Sequence, residues 1–101
     1  MVRVLEGLDA GRDYIAVFVH GVDRPGIVAG IAGVLARVNA NILDISQTVM
    51  RGIFTMAMIV DVTDATVEID ELRSMLEEEA KRLGVEVAVH HIDVVRYMQR
   101  P

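Results

Sequence analysis

The chain has 101 residues, 52% of them apolar, which suits one domain able to bury a core and excludes a disordered chain. Ten lysines and arginines stand against 15 acids, a net charge of −5, and this excludes a protein that holds a nucleic-acid backbone by clustered positive charge. Cysteine is absent, which excludes disulfides, a thiolate nucleophile and a cysteine metal site.

Residues 1–12 are weakly patterned, broken by Gly7 and Gly11, and read as an N-terminal extension, either a short extra strand through Val2 and Val4 or a loose tail. Tyr14 to His20 is rich in β-formers and predicts a first strand, with Ile15, Val17 and Val19 on one side and Tyr14, Ala16, Phe18 and His20 on the other. Gly21 to Gly26 is a turn, with Pro25 suited to the first helical position. Ile27, Ile31, Val34 and Val38 recur at helical spacing and predict a helix over 27–38. Its interior Gly30 and Gly33 each cost roughly 1 kcal/mol of propensity, which close approach to another backbone would offset. Asn41 to Arg51 and Ile53 to Thr63 predict two strands joined as a tight hairpin at Arg51-Gly52. On the third strand Phe54, Met56, Met58, Val60 and Val62 share a face. The second is mixed, with Leu43, Ile45 and Val49 opposed to Asp44, Ser46 and Thr48.

A second amphipathic helix is predicted over 68–83. Its stripe is Ile69, Leu72, Leu76, Ala80 and Leu83, its acids lie early, Lys81 and Arg82 lie late, and Gly84 stops it. Glu77, Glu78 and Glu79 are expected on its solvated side. Val85 to His91 predicts a fourth strand with Val85, Val87 and Val89 inward, and Ile92 to Pro101 a short helical tail carrying Val94, Tyr97 and Met98. The order is β-α-β-β-α-β. Right-handed crossovers turn it into an α+β, ferredoxin-like sandwich with an antiparallel sheet ordered 4-1-3-2 and both helices on one face. The other face is expected to be small and polar, with His20 and Glu86 as cross-strand neighbours.

The turn after the first strand offers the chemistry. A glycine-bounded turn at a helix start presents free backbone N–H groups that suit a carboxylate, and Gly26 lets a ligand come close. Asp23 then has two readings: it receives an ammonium group, or it simply caps the helix. Asn41 likewise either contacts a ligand or adopts a strained backbone after the helix. The histidines do not gather as metal ligands. His90 and His91 point to opposite faces, and His20 and His90 lie at opposite ends of neighbouring strands. Asp44, Ser46 and Thr48 share one face of one strand and make no triad. No cofactor, metal or catalytic residue is therefore expected. An acid–base enzyme built on His20 and Glu86 is the least favoured alternative.

Asp23-Arg24-Pro25-Gly26-Ile27, a helix, then Asn39-Ala40-Asn41-Ile42 opening a strand that continues into Leu43-Asp44-Ile45-Ser46-Gln47-Thr48-Val49, resemble the ACT domain, a small ligand-binding module of amino-acid metabolism, and more specifically a family of free-standing ACT proteins. The resemblance covers about Tyr14 to Met98, within an ACT-like domain taken as 13–101. It implies a regulatory module, not an enzyme, that binds an amino acid or related metabolite through Asp23, Arg24, Pro25, Gly26, Ile27, Val28, Asn41 and Ile42. In amino-acid-binding members a second polar side chain precedes the first by two residues. Gly21 stands there in this chain, so one side-chain contact is missing. The resemblance also implies a homodimer or higher homo-oligomer, paired along the second strand and first helix, that acts in trans on a separate metabolic enzyme. The alternative is a structural or interaction subunit that binds no metabolite. No apolar run approaches the ~20 residues of a membrane helix and no secretory signal is legible, so a cytoplasmic protein with neither nucleic-acid nor membrane partners is expected.

Overall fold

The computed structural model describes residues 7–93. Both readings of residues 1–6, extra strand or loose tail, lie outside the described residues, as does the predicted helical tail Ile92 to Pro101 from Val94 onward; Ile92 itself belongs to the last strand. The elements are β1 (Tyr14–Val22), α1 (Ile27–Arg37), β2 (Asn41–Met50), β3 (Ile53–Asp61), α2 (Ile69–Leu83) and β4 (Val85–Ile92). The sheet runs β2-β3-β1-β4, antiparallel throughout, with both helices on one face as a ferredoxin-like sandwich.

Alternation accounts for the core. Ile15, Val17 and Val19 of β1 and Phe54, Met56, Met58 and Val60 of β3 bury against Ile27, Ile31, Val34 and Leu35 of α1 and Leu72, Leu76, Ala80 and Leu83 of α2. The methionines at 56 and 58 are core residues, 3% and 1% exposed. The hairpin turn takes Arg51 to φ 51° and Gly52 to φ 82°, the two left-handed residues a two-residue connection needs. Gly84 ends α2 in the left-handed region, at φ 76°.

Several expectations are corrected. β1 continues past His20 to Val22, so the turn is shorter than the glycine spacing implied. Pro25 is not the first helical residue. Gly26 is the N-cap at φ 90°, a left-handed bend that leaves Pro25 outside the helix. Of the two helical glycines only Gly30 meets a neighbour: a Cβ there would lie 2.5 Å from Glu79 Oε2 and 2.9 Å from Leu83 Cδ1. At Gly33 nothing among the described residues lies within 4 Å. Glu79 is not on the solvated side. It is half-buried beneath Gly30, and Arg82 grips it through both Nε and Nη2. That hydrogen bonding, opposed by burial and aided by the charge of Arg37, holds its carboxyl below the ordinary glutamate value.

β2 breaks simple alternation. A bulge at Leu43 shifts the register, since Ile42 pairs with Val60 and Asp44 with Ile59. Ile42 and Ile45 therefore both face the helix side, which strict alternation would forbid. Ile45 and Val49 remain 47% and 54% exposed there, because β2 is an edge strand that the helices scarcely cover.

The open face of the sheet is less polar than expected. Cross-strand register sets it out in rows. Met50, Ile53 and Val22 lie at the hairpin end, then Thr48, Thr55, His20 and Glu86. Ser46, Ala57, Phe18 and Ala88 follow, and then Asp44, Ile59, Ala16 and His90. His20 and Glu86 are cross-strand neighbours as predicted. Phe18, Val22, Met50 and Ile53 stand exposed on this face at 44%, 60%, 67% and 50%.

Candidate functional site

Strand β1 delivers the candidate loop at the hairpin end of the sheet. The Asp23 N–H donates to the Gly52 carbonyl at 2.9 Å, so the loop is tied to the β2–β3 turn. Asp23, Arg24, Pro25 and Gly26 are exposed, Ile27 is buried and Val28 is half-buried. Among the described residues no side chain caps α1. The capping reading of Asp23 is thereby overturned: its carboxylate stands in solvent, and the first N–H groups of α1 keep no intrahelical partner. Gly26 explains why, since its left-handed backbone carries the chain into the helix without a side-chain oxygen at that position.

Arg24 turns elsewhere. Its guanidinium carbon would lie 3.3 Å from a Cβ on Gly84, at the C-terminus of α2, where the carbonyl ends favour a cation. Its position ties the loop to the second helix. Gly21 has a packing reason: a Cβ there would meet Val85 Cγ1 at 2.9 Å and Val85 Cα at 3.1 Å. A polar side chain at 21 is thus incompatible with the β1–β4 contact as it stands.

Asn41 and Ile42 lie at the other end. Asn41 pairs with Asp61, which also pairs with Tyr14 at the start of β1. The length of β1, roughly 27 Å, separates this end from Asp23. Within one chain the site residues therefore form two groups that do not meet. The backbone strain considered for Asn41 belongs to Asn39, at φ 63°; Asn41 is extended. Asn39 Nδ2 donates to the Asp64 carbonyl at 3.1 Å.

Beside Asn41 is an open polar cleft of about 280 Å³ lined by Arg12, Asn39, Ala40, Asn41, Asp61 and Asp64. Sequence reading missed its organisation. Arg12 Nε donates to Asp61 Oδ2 at 2.6 Å and Arg12 Nη2 to Asp64 Oδ2 at 3.2 Å. The Thr63 N–H donates to Asp61 Oδ1 at 2.9 Å, and the Asp9 N–H to the Tyr14 hydroxyl at 2.9 Å. Asp61 is 8% exposed. Burial opposes its charge, but the hydrogen bonds from Arg12 and Thr63 outweigh that and hold the carboxyl below the ordinary aspartate value. The available signal was an aspartate closing the apolar run Met56 to Val60; its partner, 49 residues away, left none.

His20 and His90 lie four residues apart in register, His20 beside Glu86 and His90 beside Ala16. Among the described residues no three His, Asp or Glu side chains gather in a way that would hold a metal ion, and no helix is long and apolar enough to cross a membrane.

A ferredoxin-like sandwich with a glycine-capped turn after β1 is the arrangement of the ACT domain, and the family model for that domain matches residues 13–90; the chain belongs to the ACT domain family. A UPF0237 protein of Pyrobaculum aerophilum is 66% identical over 84 residues, 83% of this chain and 93% of that relative, so the two are of similar length. Among solved structures, an ACT domain protein from Streptococcus pneumoniae matches with a TM-score of 0.72 and 31% identity over 89% of this chain and 98% of its own. The regulatory subunit of aspartate kinase from Thermus thermophilus matches with a TM-score of 0.62 and 25% identity, covering 77% of this chain and 51% of its own.

Proposed function

We propose that this chain is a regulatory module that binds an amino acid or related small metabolite between two copies of itself and passes that state to a separate metabolic enzyme or regulator. The observation that carries the reading is the exposed Asp23–Val28 turn, with free backbone donors at the start of α1 and an unengaged carboxylate beside them. Donors suit the carboxylate of an amino acid and Asp23 suits its ammonium group. Asn41 and Ile42 join the site through a dimer. Pairing β2 edges antiparallel about a two-fold axis sets the Asp23 end of one copy beside Asn41 of the partner subunit, and it covers Ile45 and Val49. The likeness to the regulatory subunit of an aspartate kinase supports a role in control. In this reading residues 1–12 extend a single 13–101 domain. The protein works in the cytoplasm without cofactor or metal, and it binds where an enzyme would catalyse.

One observation favours a second reading, an interaction subunit that binds no metabolite: Gly21, packed on Val85, cannot supply the second polar contact. Calorimetry of the protein against the twenty amino acids separates the two. Micromolar binding of one or a few that is lost in Asp23→Ala supports the first. Nothing tighter than millimolar leaves the second.

A further inference from the structure

We propose that the open face of the sheet is an interface between copies of this chain, two sheets stacked about a two-fold axis that runs across the strands at Phe18. This contact is separate from the β2-edge pairing and needs no ligand. Phe18 lies on a central strand yet is 44% exposed. Its row is otherwise Ser46, Ala57 and Ala88, small side chains that leave a cleft of about 350 Å³ beside the ring. Stacked sheets lie about 10 Å apart, which accommodates two offset rings where the surrounding residues are this small.

The face is complementary to itself about that axis. Rotation across the strands at the Phe18 row exchanges the row on its hairpin side with the row on its other side. Glu86 then faces His90 of the partner subunit, and His90 faces Glu86 of the partner subunit, a carboxylate against an imidazole twice over. Thr48 faces Asp44 of the partner subunit in the same way, a hydroxyl donor against a carboxylate. Phe18 holds the imidazole of His90 in place, with ring centroids 5.8 Å apart at 60°. Among the described residues these rows carry neither lysine nor arginine, the composition of a surface that becomes covered rather than one that meets phosphate. The three rows that the axis exchanges, four strands wide at about 4.8 Å each, present roughly 400 Å² per copy, about 800 Å² in all, a small contact that relies on complementarity rather than on area. An axis across the strands meets the two-fold of the β2-edge pairing at right angles, so the two contacts close on four copies instead of running on as a filament.

The test is light scattering of the full chain at micromolar concentration, with thermal unfolding measured alongside. Phe18→Glu should halve the mass of the parent assembly with little change in melting, because Phe18 is already exposed in one chain, and Phe18→Leu should retain the mass. A monomeric parent, or a Phe18→Glu protein of unchanged mass, overturns the proposal. Ile45→Asp tests the edge pairing separately: if it leaves the mass unchanged while Phe18→Glu halves it, the edge pairing fails and the face contact stands. Glu86→Lys adds a register test: it should lower the mass, and Glu86→Lys with His90→Glu, which exchanges the facing charges, should restore it. A double variant that stays dissociated overturns this register.

Discussion

Asp23 and Gly26 divide the work of the loop between chemistry and backbone. The Asp23 carboxylate caps nothing, so its removal should barely touch folding. Asp23→Ala is expected to stay within about 0.5 kcal/mol of the parent in denaturant unfolding. The same change should weaken a bound amino acid by roughly ten- to a hundred-fold through loss of one charge-assisted hydrogen bond, about 1.5–3 kcal/mol. Gly26→Ala should do the opposite. Its φ of 90° forces a side chain into a left-handed bend, at about 1–2 kcal/mol of stability. An Asp23→Ala protein destabilised by a full kilocalorie with affinity unchanged would return Asp23 to a structural role. The loop was legible because its residues are local and chemically explicit. What escaped was Gly26 acting as the cap: glycine leaves no side-chain signature to separate a cap from a turn.

At the level of elements, α1 carries two glycines in different situations, and alanine distinguishes them. Gly33→Ala meets open space among the described residues and should stabilise by about 1 kcal/mol through helix propensity. Gly30→Ala must displace the Glu79 carboxylate that Arg82 holds and crowd Leu83, and it should lose about 1 kcal/mol net. Equal shifts in unfolding midpoint for the two would contradict this account of the helix pair. Most elements were readable from the sequence for a physical reason. β1, β3 and α2 keep one period from end to end, and Arg51-Gly52 and Gly84 punctuate them. The span of β2 and the opposition of Ile45 and Val49 to Asp44, Ser46 and Thr48 were readable too; the bulge at Leu43, which brings Ile42 to the same side as Ile45, was not, since the sequence marks no such insertion. The open face was misjudged at its hairpin end. Polar residues drew attention, while of the exposed apolar ones Val22 lies beyond the predicted end of the first strand, and Met50 and Ile53, inside their predicted strands, flank the turn.

For the molecule as a whole, the far end of the sheet is closed by contacts between residues distant in sequence. Arg12 bridges Asp61 and Asp64, and the Val62 N–H donates to the Asp13 carbonyl at 2.8 Å. The depressed Asp61 carboxyl gives this closure a pH dependence of known sign. Its stabilisation is present above the ordinary aspartate range near 4 and fades as acid protonates the group in the folded state. Arg12→Gln should therefore be less stable than the parent at pH 7, and the gap should narrow as pH falls below about 4. A gap in unfolding midpoint that stays constant from pH 7 to pH 2.5 would show that the pair contributes nothing through charge. No local pattern announces a pair 49 residues apart, and the same limit governed the candidate site. Its members could be named one by one, but their separation to opposite ends of β1 depends on the strand order.

That separation has a genetic consequence. A site whose halves come from different chains can be repaired by mixing. Asp23→Ala and Asn41→Ala proteins should each bind poorly alone, since every pocket in either homodimer lacks one partner. Unfolded together and refolded, half of the dimers become hybrids, and each hybrid holds one intact pocket and one doubly impaired pocket. Binding capacity should then return to about a quarter of the parent's at unaltered affinity. If the mixture binds no better than its components, both halves of the pocket belong to one chain or Asn41 has no part in it.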